Sequence, residues 1–122
     1  MDREMVDTTG RDRLHVSVQR YGTKAVVAPA GELDHHTADL LREPLDTLIE
    51  DGFGTLVVDC THLEFCDSTG LNVLLGTRLK AEAAGGAVHL AGMKPAVAKV
   101  FAITGAEAVF TVHDTLDDAL KE

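Results

Sequence analysis

A serine lies at a predicted junction between a buried strand and a helix, within residues 66–71 (CDSTGL). Residues 56–58 upstream (LVV) are a β-branched apolar run, which is typical of a core strand. Downstream, Leu71, Leu74 and Leu75 recur at helical spacing, and this predicts a helix over residues 69–84. Ser68 is therefore predicted to be the N-cap of that helix.

The position of Ser68 suits a phosphate ester. The first amides of a helix have no partners within the helix, and a helix N-terminus favours negative charge. A phosphate there would add about two negative charges beside Asp67 and so change the surface that a partner meets. Two roles are open for Ser68 on position alone, a phosphorylation switch and a simple cap.

A second strand-to-helix junction lies at residues 31–38 (GELDHHTA). Because binding sites in parallel sheets collect where strand ends meet helix starts, we expect Asp34 and Ser68 to lie at the same edge of the domain. His35 and His36 stand at the helix start, where a proton-linked switch is conceivable. Surface or capping roles are favoured for both, since the sequence offers no acid–base partner for them.

The elements that position these junctions alternate between strands and helices. This alternation predicts an α/β domain with a mixed, mostly parallel sheet of four to five strands and four to five helices. Pro44 should kink the first helix or divide it in two, and Asp114 should cap the last helix. The predicted strands are residues 14–18, 25–28, 55–60, 87–91 and 109–112.

Size and composition fit one regulatory domain. The chain has 122 residues, 45% of them apolar and 25% charged, with a predicted flexible tail over 1–12 and the domain over 13–122. No apolar stretch is long enough to span a bilayer, and the N-terminus lacks the pattern of a signal peptide, so we expect a cytoplasmic protein. The net charge of −9 opposes binding to nucleic acid. Nothing demands more than a monomer.

The sequence lacks residues that the motifs of several enzyme classes require. A cysteine phosphatase needs an arginine six residues after its cysteine, where Asn72 follows Cys66, and a hydrolase elbow needs glycine where Cys66 stands. Cys60, His62 and Cys66 have irregular spacing for zinc, so buried, inert thiols are the better interpretation. We expect no catalysis, no cofactor and no metal.

A phospho-aspartate receiver is the main alternative, because Asp59 ends a strand and Lys94-Pro95 follows another. A receiver also needs acidic residues after its first strand to hold Mg²⁺, and this chain has Gln19-Arg20 there. A constitutive scaffold within a signalling complex is the other alternative. It would bind its partner regardless of modification.

Residues 31–38 (GELDHHTA) and 67–71 (DSTGL) resemble the anti-sigma factor antagonists of bacteria, which are stand-alone domains of the STAS family (sulphate transporter and anti-sigma factor antagonist). The resemblance extends over about residues 14–120 in the order and spacing of elements. Cys66 stands where the family usually has an apolar residue, which suggests sensitivity to oxidants.

The resemblance implies partner switching. The unphosphorylated antagonist binds an anti-sigma factor that is also a serine kinase, and so frees the sigma factor. Phosphorylation of the motif serine, here Ser68, breaks the complex, and a serine phosphatase restores it. The surface predicted to bind the partner comprises Asp34, His35, Thr37, Asp67, Ser68, Thr69, Gly70 and Asn72.

Overall fold

Seven strands and four α-helices make up the computed structural model, which describes the backbone of residues 2–6 and the whole of residues 13–121. The strands are β1 (Asp2–Val6), β2 (Leu14–Tyr21), β3 (Lys24–Leu33), β4 (Thr55–Asp59), β5 (Leu63–Cys66), β6 (Ala87–Ala91) and β7 (Thr111–His113). The helices are α1 (Ala38–Glu50), α2 (Ser68–Ala83), α3 (Pro95–Thr104) and α4 (Leu116–Leu120), with a 3-10 turn at Ala106–Ala108.

The strands form one mixed sheet in the order β1-β2-β3-β4-β6-β7, and β5 pairs with β3 beyond the end of β4. The neighbours β1–β2 and β2–β3 are antiparallel, as the short turn between residues 21 and 24 predicts. The pairs β3–β4, β3–β5, β4–β6 and β6–β7 are parallel. The predicted fold class, mixed and mostly parallel, is confirmed.

Two strands were not predicted. In β5 only Leu63 and Cys66 are buried, while the two residues between them are exposed. These four residues therefore lack the alternation of apolar and polar residues that predicts a strand. Strand β1 pairs antiparallel with β2, where the sequence pattern predicts no regular element. The flexibility predicted for residues 1–12 stays a prediction, since residues 1 and 7–12 lie outside the described part.

The core lies mainly between one face of the sheet and helices α1, α2 and α3. Alternation along each strand sends Val27, Val58 and Leu90 to this face. The neighbouring residues Val26, Val57 and Ala91 point to the opposite face, where α4 covers them with Ala119. The sheet is therefore a platform with its long helices on one side.

Two details of the helices differ from the predictions. Helix α1 is one helix with Pro44 inside it, so the division predicted as one of two outcomes does not occur, and the kink stays a prediction. Burial of Leu41, Leu45 and Leu48 against the sheet offsets the hydrogen bond that a proline cannot donate. The last helix is capped by Thr115 rather than Asp114, since the Thr115 hydroxyl accepts a 3.1 Å hydrogen bond from the Asp118 amide.

Candidate functional site

The two strand-to-helix junctions meet at one edge of the sheet, as predicted. Strand β5 runs parallel to the end of β3, with Leu33 opposite Cys66. The Asp67 amide continues this pairing and donates a 3.1 Å hydrogen bond to the Leu33 carbonyl. Asp34 and Asp67 therefore follow paired residues, and the loop before α1 lies beside the start of α2.

Asp67, and not Ser68, caps α2. Its carboxylate Oδ1 accepts a 2.9 Å hydrogen bond from the Gly70 amide, and its backbone is extended (φ −98°, ψ −174°). The predicted cap at Ser68 is therefore wrong by one residue: Asp and Ser are comparable caps, and only the backbone geometry distinguishes them. Ser68 is the first helical residue and its side chain is exposed. The cap leaves its hydroxyl available for chemistry.

Gly70 is buried and lets α2 approach the sheet closely. A Cβ atom there would lie 2.6 Å from Leu33 Cγ and 3.1 Å from Cys66 Sγ. The first distance is shorter than real Cβ atoms show and the second is tighter than most, so a larger residue here would force Leu33 or the helix to shift. Gly70 was predicted to bind the partner, which stays a prediction; its burial gives it a packing role.

Asp34 and Thr37 organise the neighbouring loop from inside. Asp34 Oδ1 accepts hydrogen bonds from the amides of His36 (2.9 Å) and Thr37 (3.2 Å). The Thr37 hydroxyl accepts from the Asp34 amide (2.9 Å) and donates to the Glu32 carbonyl (2.8 Å). The Arg13 guanidinium pairs with Asp34 Oδ2.

Asp34 and Thr37 are both buried. Asp34 is 6% exposed and Thr37 is 1% exposed, so neither offers a partner more than a trace of surface. Both were predicted to bind the partner, and this stays a prediction. Because their polar atoms hold the loop backbone, their role is to position the exposed His35.

The remaining predicted residues share one surface. His35, Ser68 and Asn72 are exposed, and Asp67 and Thr69 are partly exposed. Ser68 and Asn72 are four residues apart and so lie on the same side of α2. A groove of about 140 Å³ adjoins them between α1 and α2, lined partly by Thr69 and Asn72. We call the set His35, Asp67, Ser68, Thr69 and Asn72 the Ser68 face.

The predicted surface residues did not include Phe65. Its ring is 49% exposed, in β5, three residues before Ser68. The sequence carries no signal for this, because an apolar residue in a short strand is normally buried. An exposed aromatic ring beside a polar rim is a frequent anchor in protein interfaces.

The Asp67 carboxylate lies close to two other titratable groups at this edge of the sheet. His35 Nδ1 lies 3.9 Å from Asp67 Oδ2, which provides the acid–base partner that the sequence did not reveal. Burial raises the pKa of the Cys66 thiol to about 12, and the nearby Asp67 adds to the shift. The oxidant sensitivity suggested for Cys66 is therefore disfavoured, since the thiolate is the reactive form.

The thiol at Cys60 is also buried, and burial raises its pKa to about 12. The prediction of two buried, inert thiols is therefore confirmed. Within residues 2–6 and 13–121, no group of three or more His, Cys, Asp and Glu is arranged to hold a metal ion.

Asp59, the acceptor in a receiver-type site, is tied into a turn. Its Oδ1 accepts hydrogen bonds from the Thr61 amide (3.1 Å) and the Thr61 hydroxyl (2.6 Å). It lines a cavity of about 220 Å³ on the side of the sheet that α4 covers, together with Gln19 and His62. This geometry fits a structural role for Asp59.

No helix within the described residues is both long and apolar enough to cross a lipid bilayer.

Comparison with known proteins agrees with this geometry. The family model of the STAS domain matches residues 15–119. The anti-sigma-B factor antagonist of Bacillus subtilis is 31% identical over 99 residues, which cover 81% of this chain and 90% of that protein.

Solved structures of anti-sigma factor antagonists share the fold. One from Mycobacterium paratuberculosis has a TM-score of 0.82 at 31% identity, covering 90% of this chain and 93% of that one. SpoIIAA in its unphosphorylated form has a TM-score of 0.75 at 29% identity, covering 86% and 92%. The Bacillus cell fate determinant SpoIIAA in the phosphorylated form has a TM-score of 0.70 at 26% identity, covering 87% and 96%. The resemblance in residues 31–38 and 67–71 is thus confirmed, and the chain belongs to the STAS domain family, with anti-sigma factor antagonists as its neighbours in sequence and structure.

Proposed function

We propose that this protein is an anti-sigma factor antagonist whose binding is switched by phosphorylation of Ser68. The unphosphorylated form binds an anti-sigma factor that is also a serine kinase, and the sigma factor is released. Phosphorylation of Ser68 by that kinase ends the complex, and a serine phosphatase restores the binding form. The protein acts as a monomer in the cytoplasm, without catalysis or a cofactor of its own.

The observation that carries this proposal is the placement of the Ser68 hydroxyl. It is exposed at the first turn of α2, while Asp67 alone accepts the capping hydrogen bond from Gly70. A kinase can therefore reach the hydroxyl, and a phosphate can be added without breaking the cap. A switch at this position changes the surface and leaves the fold intact.

The electrostatic effect of the phosphate is large enough for a switch. About two negative charges would be added next to the Asp67 carboxylate, on a chain whose net charge is already −9. Burying this face against a partner then requires removing more charge from water. A cost of about 3 kcal/mol corresponds to about a hundredfold loss of affinity, within reach of one charged group in an interface.

The partner-binding surface proposed here is the Ser68 face, with Phe65 as its apolar anchor. Asn72 and Thr69 extend it along α2, and His35 extends it onto the neighbouring loop. Asp34, Thr37 and Gly70 support it from below.

Phosphosite mapping tests the proposal. The chain is incubated with the cognate anti-sigma factor and ATP, and the modified residue is located by tandem mass spectrometry. We expect a single, hydroxylamine-resistant phosphate on Ser68, absent in Ser68→Ala and present in Thr69→Ala. A hydroxylamine-labile phosphate on Asp59 would support the receiver alternative and contradict the proposal. A complex with the anti-sigma factor that persists in ATP, with no phosphate added to the chain, would favour the scaffold.

A further inference from the structure

His35 lies close to the residue that precedes Ser68. Its Nδ1 atom lies 3.9 Å from Asp67 Oδ2, and Asp67 directly precedes Ser68. Ser68 follows Asp67 directly in the chain, so a phosphate on Ser68 would add its charge next to this carboxylate. The imidazole side chain is 65% exposed and can turn toward either anion.

The backbone of His35 is held firmly although its side chain is exposed. The residues on both sides of it are tied down, because Asp34 Oδ1 accepts the amides of His36 and Thr37. Arg13 neutralises the other oxygen of the Asp34 carboxylate. The loop therefore presents the imidazole at a fixed place beside α2 and uses the Asp34 charge for that purpose.

We propose that His35 is the counter-ion of phosphorylated Ser68: its imidazolium pairs with the phosphate and moderates the charge that ends partner binding. This rests on the proposed function, since it requires the Ser68 phosphate, and it assigns to His35 a role in regulating that site. Without the phosphate, His35 faces a single carboxylate in water. With it, His35 faces about three negative charges.

Other charged groups around His35 are already paired. Asp34 pairs with Arg13, and Asp39 pairs with Arg42. The imidazole of His36 lies with its ring centroid 3.9 Å from that of His35, and its protonation would oppose that of His35. The charged and titratable groups of the surrounding elements are Asp67 at the start of α2, Asp34 and His36 in the loop, Glu32 in β3, Arg13 before β2, and Asp39 and Arg42 in α1.

The direction of the effect follows from the charges. A dianion beside an imidazole favours the protonated, positively charged form, because opposite charges attract. Pairing with the phosphate therefore requires the imidazolium, and the surface of the phosphorylated form becomes more anionic when a higher pH removes that proton.

Nuclear magnetic resonance tests this without a kinase. Phosphoserine is incorporated at position 68 during translation, and the chemical shifts of the histidine rings are compared between the modified and unmodified chains at pH 7. We expect the ring resonances of His35 to move toward those of imidazolium, whereas those of His113 stay unchanged because it lies in β7, at the opposite end of the strand order from β2 and β3. A shift at His35 no larger than that at His113 would overturn the inference.

Binding measurements show whether the pairing matters for the switch. The affinity ratio between unmodified and phosphorylated chains for the cognate anti-sigma factor is measured at pH 7.0 and pH 8.5. We expect this ratio to grow by about threefold at the higher pH, to stay constant in His35→Gln, and to grow as in the parent chain in His36→Gln. The same growth in His35→Gln would contradict the role of His35.

The proposed function and the role of His35 can be contradicted independently of each other. If the phosphate on Ser68 leaves partner affinity unchanged at both pH values, the proposed function is wrong. The ring resonances of His35 still decide whether that residue pairs with the phosphate, because measuring them needs neither the kinase nor the partner.

Discussion

Gly70 lies so close to Leu33 that a Cβ atom on the glycine would come within 2.6 Å of Leu33 Cγ. This contact joins the helix that carries Ser68 to the strand that leads into the His35 loop. The glycine of the DSTGL motif is thus a packing requirement. It keeps the two halves of the Ser68 face at a fixed separation.

Gly70→Ala is expected to destabilise the protein by about 1–3 kcal/mol, because the added methyl group overpacks the contact with Leu33. Gly76→Ala is the matched control, since it lies in the same helix and a Cβ there meets nothing within 4 Å. That control should stabilise the helix by about 0.5–1 kcal/mol. Urea unfolding measures both, and equal effects would contradict the packing role.

Asp67→Ala is expected to cost about 1 kcal/mol of unfolding free energy, because it removes the acceptor for the Gly70 amide. Asp67→Asn should retain most of the stability, since the amide oxygen can accept the same bond. Ser68→Ala should change stability by less than about 0.5 kcal/mol, as expected for an exposed residue outside the cap. A cost at Ser68 that matches the cost at Asp67 would show that the cap is assigned to the wrong residue.

Removal of the Asp34 carboxylate is expected to loosen the His35 loop. Asp34→Ala leaves the amides of His36 and Thr37 without their acceptor and should cost about 1–3 kcal/mol. Asp34→Asn keeps an acceptor oxygen and loses only the charge that pairs with Arg13, so its cost should be smaller. Hydrogen exchange of the two amides reports the loosening directly. Unchanged exchange in Asp34→Ala would exclude the positioning role.

The Phe65 ring is expected to anchor the partner. Phe65→Ala should weaken binding of the anti-sigma factor by tenfold or more, about 1.4 kcal/mol, while leaving the fold intact because the ring is 49% exposed. Ile103→Ala is the control, as it removes an even more exposed side chain (74%) at the end of α3. Isothermal titration calorimetry gives both affinities. Comparable losses would indicate that exposed apolar area alone, and not its location, determines binding.

Stability is expected to fall at alkaline pH because of the two buried thiols. Burial raises the pKa of Cys60 and of Cys66 from 9.0 to about 12. Each thiol holds its proton more tightly when folded, so its contribution is complete below pH 9 and is lost as the pH rises toward 12. Urea unfolding under reducing conditions between pH 8 and 11 measures the slope. Cys66→Ala should reduce this slope, and an unchanged slope would contradict the assignment to the thiols.

The general fold and the meeting of the two motifs could be predicted from the sequence, because they depend on local patterns. Alternating Leu14, Val16 and Val18 mark a half-buried strand, and parallel strands bring their ends to one edge. The motif residues were therefore placed together correctly. The burial of some of these residues was not predicted, because burial depends on partners far away in the chain.

Particular residues show this limit. Asp34 is buried because Arg13, 21 positions earlier, neutralises it, and no local pattern records that pairing. The cap was placed on Ser68 because Asp67 and Ser68 are both good capping residues in consecutive positions. Strand β5 and the exposed ring of Phe65 were missed because four residues with two buried ends match neither periodicity.

The affinity of one partner for two forms of the chain tests the central claim most directly. Isothermal titration calorimetry would compare the cognate anti-sigma factor binding to the unmodified chain and to the chain carrying phosphoserine at position 68. We predict that the phosphate weakens binding by about a hundredfold, and that Ser68→Ala binds as tightly as the unmodified chain. Affinities that agree within about threefold, or about 0.7 kcal/mol, would contradict the account.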